Sequence, residues 1–154
     1  QYIDIKRSSQ LGNSYDIYFC GFQNNVFPFY KLSSVTIITS FTEGFPNTII
    51  ESMQCQVPVL ASDCMTGPRE ILFDKSFSYD YYLKIDYPKY GYGGILLPVP
   101  EFSDPISINI WVNTLLDIQS NSTLYTRLMD QTSINVKRFN EYSSISKWVE
   151  IIVN

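Results

Sequence analysis

Histidine is absent from this chain of 154 residues. Its absence removes the side chain most often used as a general base near neutral pH, and with it the Ser/His and Cys/His nucleophile pairs. It also removes a common zinc ligand. The cysteines are Cys20, Cys55 and Cys64. They form no Cys-x-x-Cys pair and complete no zinc site, so small, mostly buried thiols are expected and no metal. Chemistry in this chain must use carboxylates, backbone amides, Tyr, Lys or Arg.

Long apolar runs are also missing. Residues 35–38 and 95–99 fall well short of the ~18 residues of a membrane span. The chain starts Gln1-Tyr2-Ile3-Asp4-Ile5-Lys6-Arg7, with no signal-peptide core behind the charges and no initiator Met. A piece of a longer protein in a cytoplasmic setting is the expectation. Positive charge is scarce: 11 Lys+Arg against 15 Asp+Glu leave a net charge of -4, which argues against a nucleic-acid partner. No internal repeat or low-complexity tract stands out.

What is present suits one globular domain, with 45% hydrophobic and 17% charged residues. The first ten residues carry mixed charge and suggest the end of a helix, stopped at Leu11-Gly12-Asn13-Ser14. Residues 16–20 are a short strand ending at Gly21. Residues 26–34 suggest a short helix with Pro28 in its first turn. The β-branched run 35–39 predicts a buried strand, followed by a loop over 40–46 and a helix over 47–54. Residues 57–62 form the next buried strand, and Gly67-Pro68-Arg69-Glu70 opens a short helix. Alternating strands and helices predict an open α/β sheet with parallel strands, whose ligand sits at the strands' carboxyl ends. The loops 21–25, 40–46 and 63–67 should then share one rim.

Residues 74–93 hold six tyrosines without a clear period. They read as an excursion: a packed surface loop, with sugar binding as the alternative. A strand over 94–99 follows. Helices begin at about 104, where Asp104 caps and Pro105 takes the first position. One core-facing stripe is Ile108, Trp111, Val112, Leu115 and Ile118; a second is Leu124, Leu128 and Met129. Ser143 or Ser144 caps a last helix with Ile145, Trp148, Val149 and Ile152. The whole, 1–154, reads as a single and partial domain.

Chemistry concentrates between Ser40 and Glu51. The first amides of a helix lack intrahelical partners and, with the macrodipole, favour an anion. Gly44 lets a ligand approach the backbone closely. Pro46 gives a rigid lead-in, Asn47 can cap the helix, and Thr48 offers an amide at its start. Glu51 lies about one turn further, ~6 Å along the axis, a plausible reach from a phosphate to a ribose. Its carboxylate can accept from both ribose hydroxyls, while Glu43 can accept from a hexose on the distal phosphate. Two solvated glutamates beside an ordinary helix start are the bland alternative. Arg69 is either a phosphate ligand or, preferably, a solvated first-turn residue. Glu70 is a favourable charge in that same turn.

Residues 30–72 resemble the C-terminal domain of the family 4 glycosyltransferases, which have the GT-B fold. The resemblance rests on Ser40-Phe41-Thr42-Glu43-Gly44-Phe45-Pro46-Asn47, on Glu51-Ser52-Met53-Gln54-Cys55-Gln56-Val57-Pro58-Val59 and on Ser62-Asp63-Cys64-Met65-Thr66-Gly67-Pro68-Arg69-Glu70-Ile71-Leu72. The Gly-Pro-Arg-Glu-Ile-Leu ending is characteristic of members that build bacterial surface glycans. Gly94-Ile95-Leu96-Leu97-Pro98 resembles a further strand of the family, and residues 139–152 its closing helix. The resemblance implies a Rossmann-like open parallel sheet, the partial C-terminal half of a GT-B protein. It implies that Glu43 contacts the donor hexose as the catalytic-site carboxylate and that Glu51 binds the ribose. Gly44, Phe45, Pro46, Asn47 and Thr48 would hold sugar hydroxyls and the distal phosphate, and Gly21 and Phe22 would line the base.

The implied activity is retaining transfer of a hexose or N-acetylhexosamine from a UDP-sugar to a bacterial surface glycan or lipid-linked acceptor. No cofactor or metal is implied; the nucleotide sugar is the substrate. The acceptor would bind through an N-terminal domain, in the cytoplasm at the inner face of the membrane. Gln56 replaces a usual Gly, Pro46 occupies a position that is often Gly, and no Gly-Arg turn or Lys-Gly helix start precedes Asp16. That basic pair neutralises the departing diphosphate, so this stretch alone is expected to be inactive. A non-catalytic binding or scaffolding domain and a sugar-nucleotide epimerase relative are the alternatives.

Overall fold

The computed structural model describes residues 4–8, 15–73 and 85–140. In chain order the elements are β1 (Asp4–Ser8), β2 (Tyr15–Phe19), α1 (Phe27–Leu32), β3 (Thr36–Ile38), α2 (Asn47–Gln54), β4 (Val59–Ser62), α3 (Pro68–Leu72), β5 (Lys89–Tyr90), β6 (Gly94–Leu97), α4 (Pro105–Ser120) and α5 (Ser122–Asn135), then a 3₁₀ turn (Val136–Phe139). The expected turn at 11–14, most of the Tyr-rich stretch and the last helix lie outside the described residues.

The main sheet has the order β3-β4-β6-β5; β3, β4 and β6 run parallel and β5 pairs antiparallel with β6. This is the open, mostly parallel α/β sheet that the sequence predicts. Parallel strands covered on both faces read as unbroken apolar runs. In β4, Val59 and Ala61 face α2 and α3 together with Ile49, Met53, Ile71 and Leu72. Leu60 faces the other way, with Ile95, Leu97, Trp111, Ile118, Leu124 and Leu128 under α4 and α5.

Three expectations are corrected. Residues 4–8 are a strand, not a helix end: they pair antiparallel with β2 from Asp4↔Phe19 to Ser8↔Tyr15. A lone strand cannot satisfy its own amides, and the β-prone Tyr15, Ile17, Tyr18 and Phe19 give this one a partner. Consequently β2 belongs to a two-stranded sheet of its own, and the loop after it does not follow a strand of the parallel sheet. Second, β3 is shorter than expected and half-exposed, with Ile37 facing outward, because it is an edge of the four-stranded sheet. Third, α4 buries Ser107, Trp111, Thr114 and Ile118, while Val112 is exposed. The indole N–H of Trp111 donates to Pro98 O at 2.8 Å, which sets that rotation.

The caps follow the sequence more closely. Asp104 accepts from the Ile106 and Ser107 amides at 3.0 and 3.3 Å. Asn121 caps α5 by accepting from Leu124 N at 3.0 Å. The second stripe buries Leu124 and Leu128 and continues through Thr132 and Asn135.

At the end of α2 the Gln56 amide donates to Met53 O and the Val57 amide to Ser52 O, a Schellman closure with Gln56 at φ 62°. An L-residue there is strained by ~1–2 kcal/mol, of which glycine's greater unfolded-state freedom offsets part. Gln56→Gly is therefore expected to stabilise the fold by about 0.5–1 kcal/mol. A higher urea midpoint with unchanged slope is the check; a lower midpoint would show that Gln56 makes a compensating contact.

Candidate active site

The site is built where β3 and β4 end side by side. Ser62, the last residue of β4, donates from Oγ to Ser40 O at 2.5 Å, which ties the loop after β3 to the neighbouring strand. Within that loop Ser40 Oγ donates to Glu43 Oε1, also at 2.5 Å. The hydroxyl of Thr66, from the loop after β4, donates to the backbone carbonyl of Glu43. Glu43 is thus held by side chain and by main chain from two different loops.

Gly67 backs this arrangement. It has φ 90°, and a Cβ there would lie 2.4 Å from Pro46 Cδ and 2.8 Å from Gly44 O. Only glycine permits that dihedral and that approach without strain. Gly44, by contrast, has open space beside it. Phe45, Asn47 and Thr48 are exposed and Pro46 is buried.

Asn47 does not cap α2. Pro46 occupies the cap position with extended backbone (φ -72°, ψ 95°), no side chain caps the helix, and Asn47 is its first residue. Proline's fixed φ suits that position, and its carbonyl accepts from Ile49 N at 3.0 Å. The buried face of α2 is Ile49, Ser52 and Met53. Ser52 Oγ lies 2.8 Å from Thr36 Oγ1 and donates to Val57 O at 2.9 Å, which locks the helix to β3. Glu51 emerges half-buried and accepts from Tyr30 Oη of α1 at 3.2 Å. Burial, and then the Glu51 charge and hydrogen bond, push the Tyr30 phenol up to about 12, so Tyr30 remains a donor to Glu51 at neutral pH.

Arg69 is not a solvated residue. It is 5% exposed, and its Nε and Nη2 donate to the two oxygens of Asp63, each at 2.5 Å. Tyr87 Oη donates to Asp63 Oδ2 at 2.5 Å. A carboxylate buried after β4 requires such partners, and a guanidinium meets both oxygens at once. Asp63 hydrogen bonding raises the Arg69 pKa further, while burial and Asp63 push the Tyr87 phenol up. Glu70 keeps the first-turn position expected of it.

Cys64 is buried, its thiol pushed up by burial and by the Glu43 charge; Cys20 and Cys55 are half-buried. Gly21, at φ 59°, and the exposed Phe22 follow β2 of the two-stranded sheet. Among the described residues no group of three His, Cys, Asp or Glu side chains could hold a metal. A cavity of about 570 Å³ lies elsewhere, between the start of β3 and helices α4 and α5; its largely apolar wall includes Val35, Leu115 and Ile118. It offers no converging charged groups, so the loops at the strand ends are the better candidate.

The comparisons with known proteins fall on these loops. A family model described as "Glycosyl transferases group 1" matches residues 5–80. That segment belongs to the group 1 glycosyltransferases. An uncharacterized glycosyltransferase of Methanocaldococcus jannaschii is 44% identical over 88 residues, 57% of this chain and 21% of the relative. The lipopolysaccharide 1,6-galactosyltransferase of Salmonella typhimurium is 46% identical over 44 residues, 27% of this chain and 12% of the relative. A Campylobacter jejuni enzyme named as an N-acetylgalactosaminyltransferase acting on a diphospho-undecaprenol is 35% identical over 57 residues, 37% of this chain and 16% of the relative. The chain spans about a fifth or less of the length of these relatives.

This glycosyltransferase segment contains Glu43, Gly44, Pro46, Glu51 and the residues that hold them. No role in holding the site was expected of Tyr30, Ser40, Thr66 or Gly67 from the sequence. The Gly67-Pro68 pair is the one local signal, since glycine before a helix start marks a constrained turn. Tyr87, beyond the segment, reaches Asp63 across 24 positions with no sequence signal.

Proposed function

We propose that this chain supplies the donor-binding half of a retaining glycosyltransferase, which moves a hexose or N-acetylhexosamine from a UDP-sugar to a bacterial surface glycan or lipid-linked acceptor. One observation carries the reading. Glu43 and Glu51 are held by separate hydrogen-bond partners on either side of the α2 start, and between them the Gly44 backbone is open. In this reading the diphosphate rests on amides at the α2 start, Glu51 accepts from the ribose hydroxyls and Glu43 from the hexose. Gly21 and Phe22 line the base. The reading calls for no metal or other cofactor.

Transfer breaks the bond from the anomeric carbon to the diphosphate and forms one to the acceptor hydroxyl on the same face. The acceptor's proton passes to the leaving diphosphate oxygen, so no histidine is needed. The acceptor enters from an N-terminal domain at the cytoplasmic face of a membrane. No helix among the described residues is long and apolar enough to cross one.

Glu51→Gln tests the ribose contact. A hydrogen bond to a charged group is worth ~1.5–3 kcal/mol, so UDP should bind the variant full-length protein more than about tenfold more weakly. Calorimetric titration with UDP measures it, and unchanged affinity would remove Glu51 from the site.

A further inference from the structure

Asp63, the buried Arg69 and the half-buried Tyr87 have no part in the donor reading, yet they hold the loop that contacts the one on which that reading depends. Asp63 follows β4, and its side chain is 1% exposed. Its amide extends the β4–β6 ladder by donating to Leu97 O at 2.7 Å. Its carboxylate accepts from Arg69 of α3 and from Tyr87, which precedes β5. One carboxylate therefore joins the end of β4, the start of α3 and the approach to β5.

The loop 63–67 is anchored at both ends by this arrangement. From it two contacts reach the neighbouring loop: Thr66 to the Glu43 carbonyl, and Gly67 against Gly44 O and the Pro46 ring. A buried ion pair is a poor source of stability compared with apolar packing. What a forked guanidinium on a carboxylate supplies is a single orientation.

We infer that Asp63, Arg69 and Tyr87 are positioning residues, which set the place of Glu43 through Thr66 and Gly67. The hold on the loop rests on geometry alone; its effect on turnover rests on the proposed donor site. Glu51 stands on α2, anchored by Ile49, Ser52 and Met53. Loosening the clamp should disturb the hexose side of the site and spare the ribose side.

Tyr87→Phe deletes one hydrogen bond and keeps the ring. Arg69→Lys keeps the charge but cannot fork. Cys64, buried inside the clamped loop, reports its opening. In the full-length protein with every other cysteine replaced by serine, Cys64 should react with an aromatic disulfide reagent about tenfold faster in both variants. UDP release from UDP-glucose, UDP-galactose or UDP-N-acetylglucosamine should fall about tenfold, with UDP affinity within about twofold. A purely structural role would not divide turnover from affinity in this way. Thr66→Val, which cuts the link to Glu43 and leaves the clamp intact, should reproduce the loss in UDP release. Combined with Tyr87→Phe it should add little further loss.

Unchanged Cys64 reactivity in Arg69→Lys overturns the clamp, whatever the turnover. Faster Cys64 reaction with undiminished UDP release in an active enzyme overturns the link to Glu43. An unmutated protein that releases UDP from none of the three sugars overturns the donor reading instead, and Cys64 reactivity then decides the clamp by itself.

Discussion

Glu43→Gln is expected to lower UDP release from a UDP-sugar by about 100-fold or more, the scale of losing one preorganised electrostatic contact in a reacting centre. UDP affinity should change by no more than about threefold, because a group that acts mainly in the transition state leaves nucleotide binding intact. The substitution is nearly isosteric, so Ser40 Oγ keeps an acceptor and the loop keeps its shape. In the proposed site it removes the negative charge that would face the positive character growing on the anomeric carbon as the diphosphate leaves. The main chain of Glu43 is fixed independently by Thr66, so a loss cannot be assigned to loop collapse. Turnover measured beside a UDP titration is the test. Equal losses in turnover and UDP affinity would place Glu43 in nucleotide binding, and native turnover would remove it from the chemistry.

Local features of the fold were legible where one short segment carries its own instructions. Helix α2 spans Asn47–Gln54 as expected, because Gly44 and Pro46 break the chain before it and Ile49 and Met53 repeat on one face. The Asp104-Pro105 cap and the parallel β4 and β6 were readable for the same reason. Strand β1 was not. Its mixed charges fit a helix end as well as a strand, and the choice falls to its pairing with β2, a relation between segments. The rotation of α4 was likewise hidden: apolarity places Val112 on the stripe, but the Trp111 hydrogen bond to Pro98 turns it outward.

The candidate site divides along the same line. Glu43 and Glu51 were singled out because carboxylates flanking a helix start have a physical reading within a dozen residues, and their roles came from the family resemblance. Apart from Ser40, their supports came from elsewhere in the chain. Tyr30 lies 21 positions before Glu51, and Thr66 lies 23 after Glu43. Arg69 shows the cost of local reading. As a first-turn arginine it belongs in solvent, and only the buried Asp63 six positions earlier explains why it is enclosed. It is paired with that carboxylate, so in the proposed site the diphosphate rests on the backbone amides at the start of α2.

Asn135→Ala is expected to destabilise the protein by about 3–4 kcal/mol, at the upper end for one polar side chain. Asn135 is 2% exposed on α5. Its Nδ2 donates to Ile71 O and to Tyr92 O, both at 2.8 Å, and its Oδ1 accepts from Arg138 at 2.7 Å. The Ile71 carbonyl sits in the last turn of α3, where no further amide of that helix can reach it. Truncation leaves two carbonyls short of a donor, at ~1–3 kcal/mol each, and opens space beside Met53. Water entering that space offsets part of the loss, which keeps the sum below the simple total. A fall in the urea midpoint with unchanged slope is the measurement; a loss below ~1 kcal/mol would mean that the carbonyls find other donors. Asn135→Asp sharpens the test, since it keeps the shape and turns a carboxylate towards both carbonyls. Neither carboxylate oxygen can donate to Ile71 O or Tyr92 O at neutral pH, so the variant should lose stability there although the Arg138 guanidinium still meets one of them. Asparagine is the one residue of this shape that donates here at every pH, and it ties α5 to the α3 whose first turn holds Arg69.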